Sequence, residues 1–200
     1  MENSEIPKEL LGGKREEYLQ IDATYMGTAL VWASRSKDPS TQVGACFVNS
    51  KGRIISVGYN GSPNSWDDDE FPWRRGEKDE DPFATKYPYV IHAEMNGILN
   101  YDGSSSDFNG STIYVTLFPC SNCAKFLVQR GIKKVIYLTD LYKGTSDNKS
   151  AKLLFDKCGV EYTKFSNINV DEVDHIDLNF NPIERENPVR IKKMVYKIEE

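Results

Sequence analysis

The stretch Thr112-Ile-Tyr-Val-Thr-Leu-Phe-Pro-Cys120-Ser-Asn-Cys123 decides the fold of this chain. Its β-branched and aromatic first half is typical of a strand, and the proline before Cys120 fixes the entry of a helix that we expect to reach Arg130. A strand at 133–139, a helix near 150–157 and a strand at 160–165 follow. Because strands and helices alternate, we expect the later strands of one sheet to run parallel.

The sequence upstream of this stretch predicts the rest of the sheet. A helix over 15–37, ended by Asp38-Pro39, has an apolar face made of Tyr18, Ile21, Tyr25, Ala29 and Trp32. Two short β-prone runs, 43–49 and 53–59, predict an antiparallel hairpin, and a helix follows at 92–100. We therefore expect an α/β protein with a three-layer α/β/α fold. Its mixed five-stranded sheet combines an N-terminal antiparallel hairpin with later parallel strands and carries helices on both faces.

The 200 residues predict one domain with two additions. The domain spans 14–165, and residues 62–91 form an insertion without hydrophobic periodicity, which we expect to be a surface loop or lid. Within it, residues 67–70 are expected to be a solvated acidic face. Residues 166–200 form a charged C-terminal extension.

Charge and hydropathy exclude several classes of function. The chain has 25 Lys+Arg and 30 Asp+Glu, so its net charge of −5 disfavours binding to a long nucleic acid, whereas a small phosphorylated ligand needs only a few local donors. No apolar run approaches the roughly 18 residues that span a membrane. The first residues lack the features of a secretory signal, so we expect a cytoplasmic protein.

Three side chains have the pattern of a catalytic zinc site. Cys120 and Cys123 are three residues apart on the first turn of a predicted helix, so both sulfurs can face one centre. His92 completes a set of three protein ligands, and a fourth position left for water distinguishes catalytic from structural zinc. Glu94, at the start of the same helix as His92, is placed to carry protons to and from that water.

Other roles for these cysteines are weaker interpretations. A closed structural zinc site would need Cys46, Cys158 or His175 as a further ligand, and none of them lies in a ligand-spaced pair. A thioredoxin-like dithiol would leave His92 without a role. We expect Cys46 and Cys158 to be buried structural thiols and His175 to have no function.

Further blocks make the chain resemble the deoxycytidylate deaminase family within the cytidine deaminase superfamily. They are His92-Ala-Glu94 with Pro119-Cys-Ser-Asn-Cys123, Ser36 to Ala45, Gly58-Tyr-Asn-Gly-Ser-Pro63, Phe71-Pro-Trp-Arg-Arg75 and Thr85-Lys-Tyr-Pro-Tyr-Val-Ile. The resemblance implies hydrolysis of dCMP to dUMP and ammonia, which supplies dUMP for thymidylate synthesis. It implies Glu94 as the proton carrier, with one Zn²⁺ bound by His92, Cys120 and Cys123. A second zinc, found in some relatives, is not expected because 62–91 contains neither His nor Cys.

The resemblance also implies residues for substrate and effectors. Asn60 is expected to contact the sugar, and the backbone around Ala93 and Phe118 to read the base edges. Candidates for the phosphate are Arg35, Lys37 and Tyr142. Members of the family are commonly homohexamers, activated by dCTP and inhibited by dTTP, and Mg²⁺ can accompany a bound triphosphate. The implied effector loop contains Gly58, Asn60, Gly61 and Pro63.

Other deaminase activities and a non-catalytic function are alternatives to the deamination of dCMP. A tRNA adenosine deaminase or other nucleobase deaminase would need a basic strand-binding face, which the net charge disfavours. A riboflavin-pathway deaminase usually has a reductase domain, for which we expect no room in 200 residues. A catalytically idle nucleotide-binding regulatory module is disfavoured because His92, Glu94, Cys120 and Cys123 are all present.

Overall fold

The computed structural model describes residues 11–14, 18–77 and 81–165. The helices are α1 (Ile21–Ala33), α2 (Ala93–Leu99), α3 (Ser121–Gln129) and α4 (Ser146–Cys158). The strands are β1 (Gly44–Val48), β2 (Ile54–Tyr59), β3 (Thr112–Leu117), β4 (Lys134–Thr139) and β5 (Glu161–Lys164). Short 3-10 helices lie at Pro82–Ala84 and Ser105–Phe108.

The five strands form one mixed sheet in the order β2-β1-β3-β4-β5. β1 is antiparallel to both β2 and β3, whereas β3, β4 and β5 run parallel to one another. The hairpin followed by parallel strands confirms the predicted topology. The carboxyl ends of β3 and β4 therefore meet at one edge, where ligand sites of such sheets are usually built.

Helices cover both faces of the sheet because alternate strand residues point to opposite sides. On one face α1 packs Tyr25, Met26 and Ala29 against Cys46 and Tyr114. On the other face, α2, α3 and α4 enclose a larger core with strand residues from β1, β3 and β4: Ala45, Phe47, Ile113, Val115 and Val135. The predicted three-layer arrangement is confirmed, and Cys46 is fully buried within it.

Two helices have boundaries that differ from the sequence-based expectation. α1 ends at Ala33, before Asp38-Pro39, because the chain turns inward there and buries the Asp38 carboxylate. Tyr18 precedes α1 and Ile21 is its first residue, and both side chains are exposed rather than part of an apolar face. α4 begins one turn earlier than predicted, because the Thr145 hydroxyl accepts a hydrogen bond from the Asn148 N–H and caps it.

Glycine allows α2 to approach the sheet closely. A Cβ built on Gly58 of β2 would lie 2.2 Å from the Ala93 carbonyl oxygen and 2.5 Å from the Gly97 nitrogen. Any side chain at position 58 would therefore push α2 away from β2. The backbone pair Gly61 and Ile91 exchanges two hydrogen bonds, of 3.0 and 2.9 Å, immediately before His92. These contacts place the start of α2 against the end of β2.

The insertion has a core of its own. Phe71 is buried among the rings of Trp66, Trp73 and Tyr89, and Lys86 is also buried. Three of the four residues at 67–70 are exposed, as expected for a solvated face.

The remaining expectations concern single residues and the end of the chain. Cys158 is exposed rather than buried, because it is the last residue of α4 and lies beside Gly159. His175 and the extension 166–200 lie outside the described residues. Among the helices of the described part, none combines the length and the apolar character that a membrane span requires.

Candidate functional site

Two helix starts bring the three predicted metal ligands together. His92 is the N-cap residue of α2, Cys120 is the N-cap residue of α3, and Cys123 lies on the first turn of α3. The His92 Nδ1 atom is 3.5 Å from the Cys120 sulfur and 3.4 Å from the Cys123 sulfur. The three ligand atoms all lie within 4.8 Å of one another. Among the described residues, this is the group of His, Cys, Asp and Glu side chains whose spacing suits a metal ion.

The nitrogen-to-sulfur distances fit tetrahedral zinc. Zinc bonds of about 2.3 Å to sulfur and about 2.0–2.1 Å to nitrogen, at tetrahedral angles, separate the two ligand atoms by about 3.5 Å. The observed 3.4 and 3.5 Å agree with this value. Three protein ligands with two sulfurs and one nitrogen leave one tetrahedral position for water or substrate, which is the arrangement of catalytic zinc.

The protein groups themselves favour negative charge at the sulfurs. The contact with Cys123 and, to a smaller extent, the hydrogen bond with His92 lower the pKa of the Cys120 thiol to about 4. The same contact with Cys120 raises the pKa of Cys123, while the Cys120 hydrogen bond raises the pKa of His92 to about 9. One thiolate is therefore stable here before any metal binds, and a divalent cation would stabilise the second.

Glu94 lies in the first turn of α2 with only 4% of its surface exposed. Burial raises the pKa of its carboxyl group, and the neighbouring His92 imidazole acts in the opposite direction. A carboxyl group with a raised pKa is a stronger base than an exposed carboxylate, which suits a group that takes up and passes on protons. Its position two residues after His92 places it beside the ligand cluster.

A cavity of about 430 Å³ opens beside these groups, a volume that suits a small organic ligand. His92, Glu94 and Cys120 line it. So do four of the predicted substrate residues: Asn60, Ala93, Phe118 and Tyr142. Arg35 and Lys37 are not among the lining residues, because the chain after α1 carries them away from this cavity.

Asn60 is held in the cavity wall by a buried network of hydrogen bonds. Its amide nitrogen donates to the Asp38 carboxylate at 3.2 Å and to the Thr41 carbonyl at 3.0 Å, and its oxygen accepts from the Val43 N–H at 2.8 Å. Asp38 also accepts a hydrogen bond from the Lys86 ammonium group at 2.5 Å. Both charged side chains of this ion pair are at least nine-tenths buried. The pair therefore fixes the insertion to the loop before β1.

Several lining residues were not predicted from the sequence: Asp38, Thr41, Arg75, Lys86 and Asp147. Lys86 has a signal in the sequence, since it directly precedes the apolar and aromatic run Tyr87 to Ile91, and a lysine buried beside such a run needs a partner. Asp38 was interpreted only as a helix stop. Asp147 had no local signal, because its carboxylate acts through a distant contact and accepts hydrogen bonds from the Ser121 N–H and hydroxyl beside Cys120.

A second cavity, of about 560 Å³, is lined by residues of β2, α2 and the insertion. Gly61 and Pro63 of the predicted effector loop line it, together with Trp32, Tyr59 and Asn96. Lys37 also lines this cavity, where its ammonium group pairs with Asp68. Gly58 lies within β2 against α2, and Asn60 lines the first cavity. One loop thus contributes to both cavities.

Comparisons with protein families and with curated proteins found similar sequences. Residues 19–139 match the family described as "Cytidine and deoxycytidylate deaminase zinc-binding region". The chain is 49% identical over 152 residues to the deoxycytidylate deaminase of Homo sapiens, covering 76% of this chain and 83% of that protein. It is 43% identical over 188 residues to the probable deoxycytidylate deaminase of Drosophila melanogaster, covering 92% and 90%.

A solved structure is similar in fold as well as in sequence. The dCMP deaminase of the cyanophage S-TIM5, crystallised in complex with dCMP and dUMP, superposes with a TM-score of 0.55 at 28% identity. The superposition covers 72% of this chain and 96% of that chain.

Proposed function

The chain belongs to the cytidine and deoxycytidylate deaminase family, and from this premise we propose that it is a zinc-dependent hydrolase that converts dCMP and water to dUMP and ammonia. The observation that supports this most directly is the buried Glu94 carboxyl beside His92, Cys120 and Cys123 in one cavity. This combination serves a hydrolysis that needs both a metal ion and a proton carrier.

His92, Cys120 and Cys123 would hold the zinc ion, which supplies a Lewis acid and lowers the pKa of water to about 7. Glu94 accepts one proton from the attacking water and delivers it to N3 of the cytosine ring. It then takes the second proton from the oxygen now bonded to C4 and delivers it to the amine, so that the C4–N bond breaks, ammonia leaves and the C4–O bond becomes a carbonyl. The raised pKa of Glu94, caused by burial, suits this exchange because it makes the carboxylate a stronger proton acceptor. Asp147 holds Ser121, so it keeps the Cys120 end of the site in place.

The cavity walls supply contacts for the nucleotide. Ala93 and Phe118 flank the Glu94 side of the cavity, where we place the base. Both amide hydrogens of Asn60 are engaged by Asp38 and Thr41, so only its oxygen has room for a further partner. Asn60 therefore suits a sugar hydroxyl that donates a hydrogen bond. Tyr142 borders the same cavity and offers a hydroxyl to the substrate.

Regulation by dCTP as activator and dTTP as inhibitor forms the second part of the proposal. The second cavity is the candidate effector site, supported by Gly61 and Pro63 in its wall. Lys37 could meet a phosphate oxygen there, and Asp68 could bind Mg²⁺ that accompanies a triphosphate. The effector loop continues into Asn60 of the first cavity, so a ligand in one cavity can shift the wall of the other.

Assembly and cellular location complete the proposal. We place the reaction in the cytoplasm, where a reducing environment keeps the ligand cysteines as thiols. We propose a homohexamer from the resemblance to the family, and large apolar side chains that expose more than half of their surface are available for contacts between subunits: Phe83, Leu99, Ile21 and Leu153. Static light scattering of the full chain, with and without dCTP, measures the subunit number.

Ammonia release from a panel of substrates tests the proposed reaction. Purified zinc-loaded protein is incubated with dCMP, dCTP, deoxycytidine, CMP and an adenosine-bearing tRNA stem-loop, with dCTP or dTTP added in parallel reactions containing dCMP. We expect dCMP to be the preferred substrate, its turnover to rise with dCTP and to fall with dTTP. Product from the stem-loop without product from dCMP would replace the proposal with RNA editing.

A further inference from the structure

The cationic side chains of the catalytic cavity are not equivalent. Apart from the metal ligand His92, the described lining contains two cations, Lys86 and Arg75. Lys86 is buried against the Asp38 carboxylate, so its charge is already neutralised within the wall. A phosphate that approached Lys86 would have to compete with this partner, which leaves Arg75 as the cation available to a ligand.

The Arg75 guanidinium has more N–H donors than its hydrogen bond to Thr41 uses. Its Nη2 atom donates to the Thr41 hydroxyl at 2.8 Å, and a guanidinium group carries five N–H donors in a planar fork. The ion pairs found among the described residues join Lys37 to Asp68, Lys86 to Asp38 and Lys152 to Asp140, and none of them involves Arg75. Arg75 is exposed, so an anion can reach it from solvent.

Hydrogen bonds between residues of the cavity wall show the order in which these residues follow one another. Gly61 pairs with Ile91, which directly precedes the ligand His92, and Asn60 is the neighbour of Gly61. The Asn60 amide donates to the Thr41 carbonyl, and the Thr41 hydroxyl accepts from Arg75. The wall thus runs from the metal ligands through Asn60 to Arg75. A nucleoside monophosphate presents its base, sugar and phosphate in the same order.

We propose that Arg75, carried by the insertion and oriented by Thr41, binds the 5′-phosphate and makes this enzyme selective for a nucleotide over a nucleoside. The proposal rests on the proposed function for the nature of the base and the sugar. It assigns the phosphate contact to the insertion and not to Arg35 or Lys37, because neither of these lines the cavity. An arginine suits the task because its fork can bind two phosphate oxygens at once.

The first test compares the kinetics of dCMP, which carries the 5′-phosphate, with those of deoxycytidine, which lacks it. Arg75→Gln removes the charge, and we expect kcat/KM for dCMP to fall about 10- to 100-fold, the range expected for a hydrogen bond to a charged group. For deoxycytidine, which lacks the phosphate, kcat/KM should stay within about twofold of the wild-type value. Arg75→Lys keeps the charge but loses the fork, so its loss for dCMP should be intermediate.

Two control variants test whether the loss of activity on dCMP is specific to position 75. Arg53→Gln removes an equivalent charge from the exposed turn between β1 and β2 and should leave both substrates unaffected. Arg35→Gln tests the position favoured by the sequence and should also leave the ratio of dCMP to deoxycytidine unchanged. A loss for dCMP with Arg35→Gln that equals the loss with Arg75→Gln would overturn the assignment.

Binding of dUMP and deoxyuridine tests the phosphate site independently of the proposed reaction. Isothermal titration calorimetry compares dUMP with deoxyuridine, neither of which carries the amine that is removed. We expect Arg75→Gln to weaken dUMP about 10- to 100-fold and to leave deoxyuridine unchanged. If the wild-type protein binds dUMP through Arg75 but does not deaminate dCMP, the proposed function fails and the phosphate site stands.

Two outcomes would refute the phosphate site while the deaminase function remained. In the first, Arg75→Gln deaminates dCMP and binds dUMP as well as the wild type does. In the second, Arg75→Gln loses equal activity on dCMP and deoxycytidine, which indicates a structural role of the insertion rather than a phosphate contact.

Discussion

At the scale of single residues, Glu94 combines burial with a position beside the metal ligands. The substitution Glu94→Gln keeps the size of the side chain but removes its ability to carry a proton. We expect turnover of dCMP to fall by about 10²- to 10⁴-fold, the usual contribution of a general acid–base group, while zinc content stays at one ion per chain. Ammonia release and elemental analysis measure the two quantities. More than a few per cent of wild-type activity in this variant would show that another group moves the protons.

The four cysteines differ in environment, so their reactivity should differ as well. Cys158 is exposed and should react with a thiol reagent within seconds to minutes, as ordinary accessible thiols do. Burial raises the pKa of Cys46 to about 12, so it should stay unreactive until the protein unfolds.

Cys120 and Cys123 should react only after a chelator removes zinc, because a bound metal occupies both sulfurs. Spectrophotometric titration with a disulfide reagent, with and without chelator, counts these classes, and Cys158→Ser should lack the fast class. Fast reaction of three thiols in the zinc-loaded protein would show that the two sulfurs do not hold the metal.

At the scale of elements, the close approach of α2 to β2 supports the metal site. Gly58→Ala places a methyl group within 2.2 Å of the Ala93 carbonyl, so α2 must shift and carry His92 and Glu94 with it. We expect the free energy of unfolding to fall by about 1–3 kcal/mol, as for overpacking in a core, and zinc affinity and activity to fall too.

Urea unfolding and zinc titration measure both effects of Gly58→Ala. Gly13→Ala is the matched control, since a Cβ at Gly13 meets no atom within 4 Å. Wild-type zinc affinity in Gly58→Ala, despite a loss of stability, would separate the helix packing from the metal site.

At the scale of the whole molecule, a metal ion would link two helices, α2 and α3, that are far apart in sequence. His92 begins α2 and the two cysteines begin α3, so zinc bound to the folded state should stabilise it. At free zinc about 1,000 times above the dissociation constant, the gain is about 4 kcal/mol. We therefore expect a chelator to lower the melting temperature, and added zinc to restore it.

Differential scanning calorimetry of the full chain measures this shift, and Cys120→Ser serves as the control. That variant loses one ligand and should melt near the temperature of the chelated wild type, with little response to chelator. An equal response of both proteins would place the stabilising ion elsewhere.

The order of strands and helices could be predicted from the sequence, and so could the grouping of His92, Cys120 and Cys123. The proposed roles of these residues and of Glu94 were also derived at that level. They depend on local information: hydrophobic periodicity, a proline at a helix entry, and ligand spacing such as that of Cys120 and Cys123. These signals act over a few residues, so they survive without knowledge of the rest of the chain.

Only the tertiary structure decided which charged groups line the cavity beside Glu94. Arg35 and Lys37 lie close in sequence to the cavity residue Asp38, yet the turn after α1 keeps them out of the lining. Lys86 and Arg75 come from the insertion and reach the cavity through contacts with Asp38 and Thr41, more than thirty residues away in sequence. Such contacts form because a buried charge needs a partner wherever the fold provides one, and no local pattern records which partner that will be.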